Sequence, residues 1–320
     1  MRINAKNPSP SYADAMILGR TILFVAAVHA VTALSLAIAS TSTNAQSQDG
    51  DLLGDIGFYV TRSADTLPDI AVANDLGYVE LIAANRNVDP WLPGEGTRIV
   101  LPHAHLLPDA PRRGIVINVA EQRLYYYPPR GAVQSFPIGI ATDNEAVKTG
   151  VTHISAKRIR PTWIPTASVR AEDPTLPAAV PPGPNNPLGD YALNTDWDAI
   201  VIHGTNRPYG VGRRVSHGCF RLYPADIDKL FHEVEIGTQV AVVDQPAKAG
   251  WSDGVLYLEM HPTIDQAEQL ESGAEVSVVE AAGLERLILD GANAEPDEVD
   301  WGLVDKAAHE RSGIPTRISK

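Results

Sequence analysis

Cys219 is the only cysteine in 320 residues, and this most constrains what the chain can fold into. No intrachain disulfide can staple it, so any fold must rest on buried apolar surface. A chain of this length can bury one substantial core and still leave residues for one or two smaller modules. The formal charge of −13 argues against nucleic acid as a general partner, because phosphate binding calls for a basic surface. Before its neighbours are read, the lone thiol is about as well explained by a buried inert cysteine as by a catalytic one.

The N-terminal residues read as an export signal. Arg2, Lys6 and Arg20 precede an apolar stretch, Thr21 to Ala39, which gives way to small and polar Ser40 to Ala45. Thr43 and Ala45 fit the small-residue rule for cleavage before Gln46. A retained membrane tether is the alternative, since the stretch could nearly span a bilayer, although His29, Thr32 and Ser35 weaken it. Removing residues 1–45 takes away three basic residues and one acid, so the remainder, expected in the periplasm, is more acidic still. In an oxidising compartment an unpaired thiol needs a reason to be there.

Residues 46–56 suggest a short linker. From Gly57 to Pro102 the apolar spacing predicts strand, helix, helix, strand, over Phe58–Thr61, Leu67–Asn74, Tyr78–Asn85 and Thr97–Leu101. A joint at residues 103–113 leads into a strand-rich segment, 114–246, which predicts a mainly β domain with one helix, Pro224–His232. Eight prolines between Pro161 and Pro187 argue against a regular helix or central strand there and for a long shaped loop. Residues 247–262 read as a strand extension. The tail, 263–320, carries 13 acids against 5 basic residues and predicts a helical appendage, with helices at Val276–Leu289 and Trp301–His309.

The chemistry concentrates in Ile202-His203-Gly204-Thr205-Asn206 and Ser216-His217-Gly218-Cys219-Phe220-Arg221-Leu222. A thiol is a strong nucleophile only as thiolate, so it needs a base or positive charge nearby, and two histidines lie within 16 residues of Cys219. Between His203 and Tyr223 stand Arg207, Arg213, Arg214 and Arg221 without one acid. This local reversal of charge suits a thiolate and a substrate rich in carboxylates. Gly204, Gly210, Gly212 and Gly218 allow close backbone approach and N–H groups aimed at an oxyanion. A zinc site from His203, His217 and Cys219 is the competing reading, although His217-Gly218-Cys219 is not usual ligand spacing. His103, His105, His153, His232 and His261 read as ordinary surface or core residues.

HGTN followed by SHGCFRL resembles the signature of the L,D-transpeptidase (YkuD) catalytic domain. GIVINVAEQRLYYYP, FPIGI, RPTWIPT and NPLGDYAL are similar to the subgroup that anchors the major outer-membrane lipoprotein to peptidoglycan. Residues 57–102 resemble a LysM module, which in its family binds glycan strands. The resemblance implies a YkuD-type β-sandwich with one or two short helices, a small α+β module, and no metal or organic cofactor. It implies Cys219 as nucleophile, His203 as base and the Gly204 carbonyl as its orienter, with Ser216, His217 and Gly218 lining the oxyanion pocket. Arg221, Arg213, Arg214, Tyr191 and Trp163 would contact substrate, with a structural pairing the alternative role for Arg221. The partners implied are peptidoglycan stem peptides and glycan strands, with a lipoprotein lysine or another stem as acceptor. A hydrolase using the same residues and a non-catalytic wall-binding protein are the other classes. Phe220 stands where the subgroup has a smaller aliphatic residue, which bears on pocket shape.

Overall fold

The structure, a computed structural model, describes residues 50–141, 147–216 and 218–320. The expected export signal and the first four residues of the expected linker, 46–49, lie outside the described residues. Among the described residues no helix is long and apolar enough to cross a membrane.

Residues 57–102 form the expected element order. After β1 (Leu52–Leu53) come β2 (Ile56–Val60), α1 (Leu67–Ala73), α2 (Tyr78–Ala84) and β3 (Arg98–Pro102). β2 and β3 pair antiparallel from Ile56 opposite Pro102 to Val60 opposite Arg98. Thr66 caps α1 by accepting from the Asp69 N–H, and Pro68 occupies the first turn, where no N–H is needed. Leu67, Ile70, Leu76, Leu81 and Ile99 close the core of this unit.

Residues 50–56 are not the free linker expected. β1 pairs with β4 (His105–Leu106). Asp51 donates its N–H to Trp251 O at 2.8 Å and accepts from Leu107 N–H at 2.7 Å. Buried Leu53 gives the segment an apolar reason to dock.

The next domain opens with β5 (Gly114–Asn118), β6 (Arg123–Tyr127), β7 (Gln134–Pro137), β8 (Ile140–Ala141), β9 (Gly150–Ile159) and α3 (Ala167–Glu172). It continues with β10 (Tyr191–Thr195), β11 (Val201–His203), β12 (Arg214–Ser216), β13 (Phe220–Arg221), α4 (Pro224–Glu233) and β14 (Gln239–Val243). Eight strands form one sheet in the order β13-β11-β10-β9-β14-β5-β6-β7. The expected sandwich is thus a single sheet curled on itself. β9 causes this: Gly150 to His153 pair with β14 and Ile154 to Ile159 with β10, with a register break at Asn194/Thr195. The two halves and α4 share one core, including Ile117, Leu124, Ile154, Ile202, Phe220 and Leu230.

Two further expectations are corrected. The proline-rich loop does hold a helix, the six-residue α3, because residues 166–173 are free of proline and Thr166 caps the first turn. The tail is not a purely helical appendage. The strand extension forms β15 (Ala247–Ser252) and β16 (Val255–Met260), and the tail follows with α5 (Ile264–Ser272), α6 (Leu284–Arg286) running into a π turn at Leu287–Gly291, α7 (Trp301–Glu310) and β17 (Thr316–Arg317). β17 pairs with β16, and β16 with β15, so the strand extension and the tail are one α+β unit. The helix expected from Val276 begins only at Leu284. Gly273 ends α5 in the left-handed region, and Gln269 and Gln266 bind the Ser277 N–H and carbonyl at 2.8 and 2.7 Å, holding that stretch extended.

Where the three units meet, charges are buried. Lys248 Nζ pairs with Glu121 and, at 3.1 Å, with Glu259, and donates to Leu106 O at 2.6 Å. His261 Nε2 lies 2.7 Å from Glu259, and Arg123 lies 2.6 Å from Glu80. Burial alone would raise the Glu259 carboxyl, but the Lys248 charge and bonds from His105 and His261 hold it well below the usual carboxylate range. Removing one partner leaves an uncompensated buried charge. Lys248→Met is expected to cost about 3–5 kcal/mol in urea unfolding at neutral pH. A loss below about 1 kcal/mol, the range of an exposed pair, would show that water reaches the cluster.

Candidate active site

β11 ends on His203 and runs parallel to β13, with Ile202 opposite Phe220 and His203 opposite Arg221. Ile202 and Phe220 point into the core, so strand alternation puts His203 and Arg221 on the other face. Cys219 immediately precedes β13 and shares Arg221's side. Leu222 N–H donates to His203 O at 2.9 Å, and Arg221 exchanges backbone bonds with Gly139 at 2.8 and 2.9 Å. The two catalytic candidates therefore sit on a pinned sheet edge.

The turn into Cys219 is built by its neighbours. Gly218 adopts a φ of 100°, which a residue with a side chain adopts only under strain. Ser216 donates its hydroxyl to the Cys219 carbonyl at 2.6 Å. It is fully buried, so it shapes the turn and presents nothing to a ligand. Cys219 is partly exposed, and its thiol donates to Ala199 O at 3.4 Å. Sequence reading missed Ala199, whose backbone carbonyl is the contact and whose φ of 61° has no signature in a residue name.

His203 is 3 % exposed. Its Nδ1 lies 2.5 Å from the Gly204 carbonyl. A carbonyl only accepts, so Nδ1 carries the hydrogen and Nε2 keeps its lone pair. Burial lowers the imidazole pKa to about 4, opposed by the Gly204 bond and assisted by the Arg221 charge. The ring is therefore neutral near pH 7 and able to take a proton. Gly204 is tightly enclosed, since a methyl there would stand 3.0 Å from Ile227 Cγ2 and the Ile227 side chain would have to give way.

The remaining candidates separate. Arg221 is half-buried near Cys219, and its Nε has no hydrogen-bond partner among the described residues. Arg213, expected to contact substrate, is instead turned away to Glu271 at 2.7 Å, with its guanidinium 4.3 Å from the Tyr78 ring centre. Tyr191, also expected at substrate, stacks on Phe231 with centroids 4.7 Å apart and bonds Asp228. It lines a cavity of about 640 Å³ with Gly204 and Thr205, directly after His203. Trp163 bonds Val180 through its backbone at 2.9 and 2.8 Å, and Arg214 lines a cleft between the units. His217 lies outside the described residues.

Glu121, Glu259 and His261 have ligand atoms within 4.8 Å of one another, a grouping that could hold a metal ion. Lys248 Nζ already sits on both carboxylates, so the positive charge that the grouping calls for is supplied by the chain.

Residues 112–242 match the model of the L,D-transpeptidase catalytic domain, YkuD. Over 282 residues the chain is 39% identical to "Probable L,D-transpeptidase ErfK/SrfK" of Escherichia coli K12, covering 85% of this chain and 89% of that one. The chain belongs to the L,D-transpeptidase family. "Probable L,D-transpeptidase YbiS" of the same organism is 40% identical over 256 residues, 78% of this chain and 82% of that one. The solved catalytic domain of an Enterococcus faecium L,D-transpeptidase is 26% identical, covers 42% of this chain and 99% of that one, and superposes with a TM-score of 0.34. An enzyme of this family acts as a transpeptidase, and the mainly β domain with its curled sheet is the part that carries the family match.

A histidine whose pKa falls from 6.5 unfolded to about 4 folded contributes stability that is complete above pH 6.5 and is lost as pH drops towards 4. The shift corresponds to about 3 kcal/mol. Imidazole NMR titration of His203 should give a midpoint near 4, and His203→Gln should flatten the decline in stability between pH 6.5 and 4. A midpoint above 6 would mean that water reaches the ring.

Proposed function

We propose that this transpeptidase works through a thioester on Cys219, acting on peptidoglycan tetrapeptide stems. The observation that carries the reading is the neutral His203, oriented by Gly204 O, on the same sheet edge as the partly exposed thiol. His203 Nε2 takes the thiol proton. Sulfur attacks the carbonyl on the L-centre of the third stem residue, meso-diaminopimelate, and the C–S bond forms. As the C–N bond to D-alanine breaks, His203 returns the proton to the leaving amine. An acceptor amine then attacks the thioester. The new C–N bond forms as the C–S bond breaks, the amine proton passes to His203, and the thiol is regenerated.

The backbone N–H groups of Gly218 and Cys219 would receive the oxyanion. Arg221, a half-buried cation whose Nε has no hydrogen-bond partner among the described residues, would take a carboxylate of the stem. The proline-rich loop would cover the thioester and limit water. Asn186, itself buried, ties its ends by donating to Pro161 O at 2.7 Å, and Asn206 reaches Pro184 O at 3.4 Å. Limited water favours transfer over hydrolysis.

The βααβ unit is proposed as a LysM-like module touching glycan strands. Phe58, Trp91 and Leu92 are exposed on it, and Arg98 lies 3.6 Å from the Phe58 ring centre. Together with an N-terminal segment of export-signal composition, this supports a periplasmic enzyme at the wall. The acceptor proposed is a lipoprotein lysine, with a second stem as the other amine that the same chemistry can use.

A carbapenem should add its mass to one residue, Cys219, by peptide mapping. His203→Ala should slow that acylation on the order of a hundredfold, a typical general-base contribution, while remaining folded. An adduct that persists in Cys219→Ala would remove the thiol from the mechanism. With tetrapeptide muropeptide and a lysine-ended lipoprotein peptide, mass spectrometry should find a peptide–muropeptide conjugate and released D-alanine. With a second muropeptide it should find 3→3 dimers. Free tripeptide alone, with both acceptors in excess, would make the protein a hydrolase.

A further inference from the structure

A cleft of about 590 Å³ opens where the three units meet, lined among others by Val79, Gln122, Gly212, Arg214, Asp244 and Asp265. Arg214 belongs to β12, two residues before Ser216, a strand distance of about 7 Å, and the Ser216 hydroxyl holds the Cys219 carbonyl. One end of the cleft therefore lies beside the thiol's turn. Its other charged groups have the opposite sign to the arginine-rich crossover. The Asp244 and Asp265 side chains are exposed and have no hydrogen-bond or ion-pair partner among the described residues.

The floor adds an independent sign of a ligand. Gln122 is 7 % exposed, is held at a φ of 56°, and has a buried Oε1 with no hydrogen-bond partner among the described residues. The unsatisfied amide oxygen costs stability, which a donor arriving in the cleft would offset. The unpaired side-chain atoms of Gln122, Asp244 and Asp265 all accept hydrogen bonds, so this stretch of the cleft, which Arg214 borders at one end and His261 also lines, offers acceptors to an incoming donor. Of the buried carboxylates along it, Glu80 is paired with Arg123, and Glu121 shares Lys248 with Glu259.

We propose that this cleft is the acceptor site, taking a primary ammonium group carried on a peptide. Asp244 and Asp265 draw the cation in, and Gln122 Oε1 accepts a bond from the chain that bears it. The inference rests on the thioester reading above and places the two substrates on opposite sides of Cys219. The carboxylate-bearing donor lies towards Arg221, and the amine enters past Arg214.

The test separates the half-reactions in the whole protein. D-alanine release and acyl-enzyme formation from tetrapeptide muropeptide report the donor step. Transfer to a lysine-ended peptide, or to a second muropeptide, reports the acceptor. In the double variant Asp244→Lys/Asp265→Lys, acylation should stay within about twofold of wild type, while acceptor KM rises on the order of tenfold at low salt, as charge complementarity dictates. Asp244→Asn/Asp265→Asn should give a smaller rise that salt erases, and this milder pair keeps the test open should the double reversal fail to fold. A rise for the lysine peptide alone assigns the cleft to a polypeptide acceptor, and a rise for both assigns it to the amine itself. Acceptor KM unchanged within twofold in the folded variants, or equal loss of both half-reactions, overturns the proposal. Failure of wild-type acylation would instead overturn the thioester reading.

Discussion

The parallel pairing of β11 with β13 is the constraint on which the site depends. Parallel neighbours cannot be joined by a tight turn and need a crossover of a dozen or more residues. Here residues 204–219 make that crossover, and it contains the orienting Gly204 carbonyl, three of the four arginines and the Gly218 turn. The sixteen-residue spacing of His203 and Cys219 is thus a consequence of sheet geometry. The same register sets Arg221 opposite His203, where its charge joins burial in keeping the imidazole neutral.

A crossover this long needs support from outside its own sheet, and the βααβ unit supplies it. Val79 N–H donates to Gly212 O at 3.1 Å, Tyr78 N–H to Val211 O at 3.3 Å, and the Tyr223 hydroxyl to Leu76 O at 2.9 Å. Gly212, at a φ of 72°, lies so close to Gly77 and Tyr78 that a side chain would overlap their backbone. On α4, burial raises the Asp226 carboxyl well above its ordinary range, and the Asp75 carboxylate raises it further. A proton shared at that contact lets two acids meet across the boundary without repulsion. The buried Lys248 cluster does the equivalent for the third unit.

Much of this was legible in the sequence because apolar period and punctuation agreed. α1, α2, β3 and α4 fall within one or two residues of their expected limits, each bounded by proline, glycine or a capping side chain. β9 escaped notice because its exposed face carries Val151 and Ile159, 56 % and 66 % exposed, which blurs the alternation. The arginine cluster showed the sign of the local charge but not its direction. Arg213 is claimed by Glu271, 58 residues further on, and no local pattern reports such a partner. Tyr191 belongs to a conspicuous run of sequence for a packing reason, its contact with Phe231. Ala199 O could not have been found by any reading of side chains.

The separation of charge around Cys219 addresses a difficulty built into amine transfer. Carboxylates attract an ammonium ion, but an ammonium held against them is stabilised in its protonated, unreactive form. An acidic residue touching the thioester would therefore collect the acceptor and disable it. Asp244 and Asp265 lie along the interdomain cleft, whereas the charged group whose field reaches both Cys219 and His203 is Arg221. A cation entering from the cleft moves from a field that favours its charge into one that opposes it. There the neutral amine gains relative to the ammonium, and the uncharged His203 is free to accept the proton released when the new bond forms.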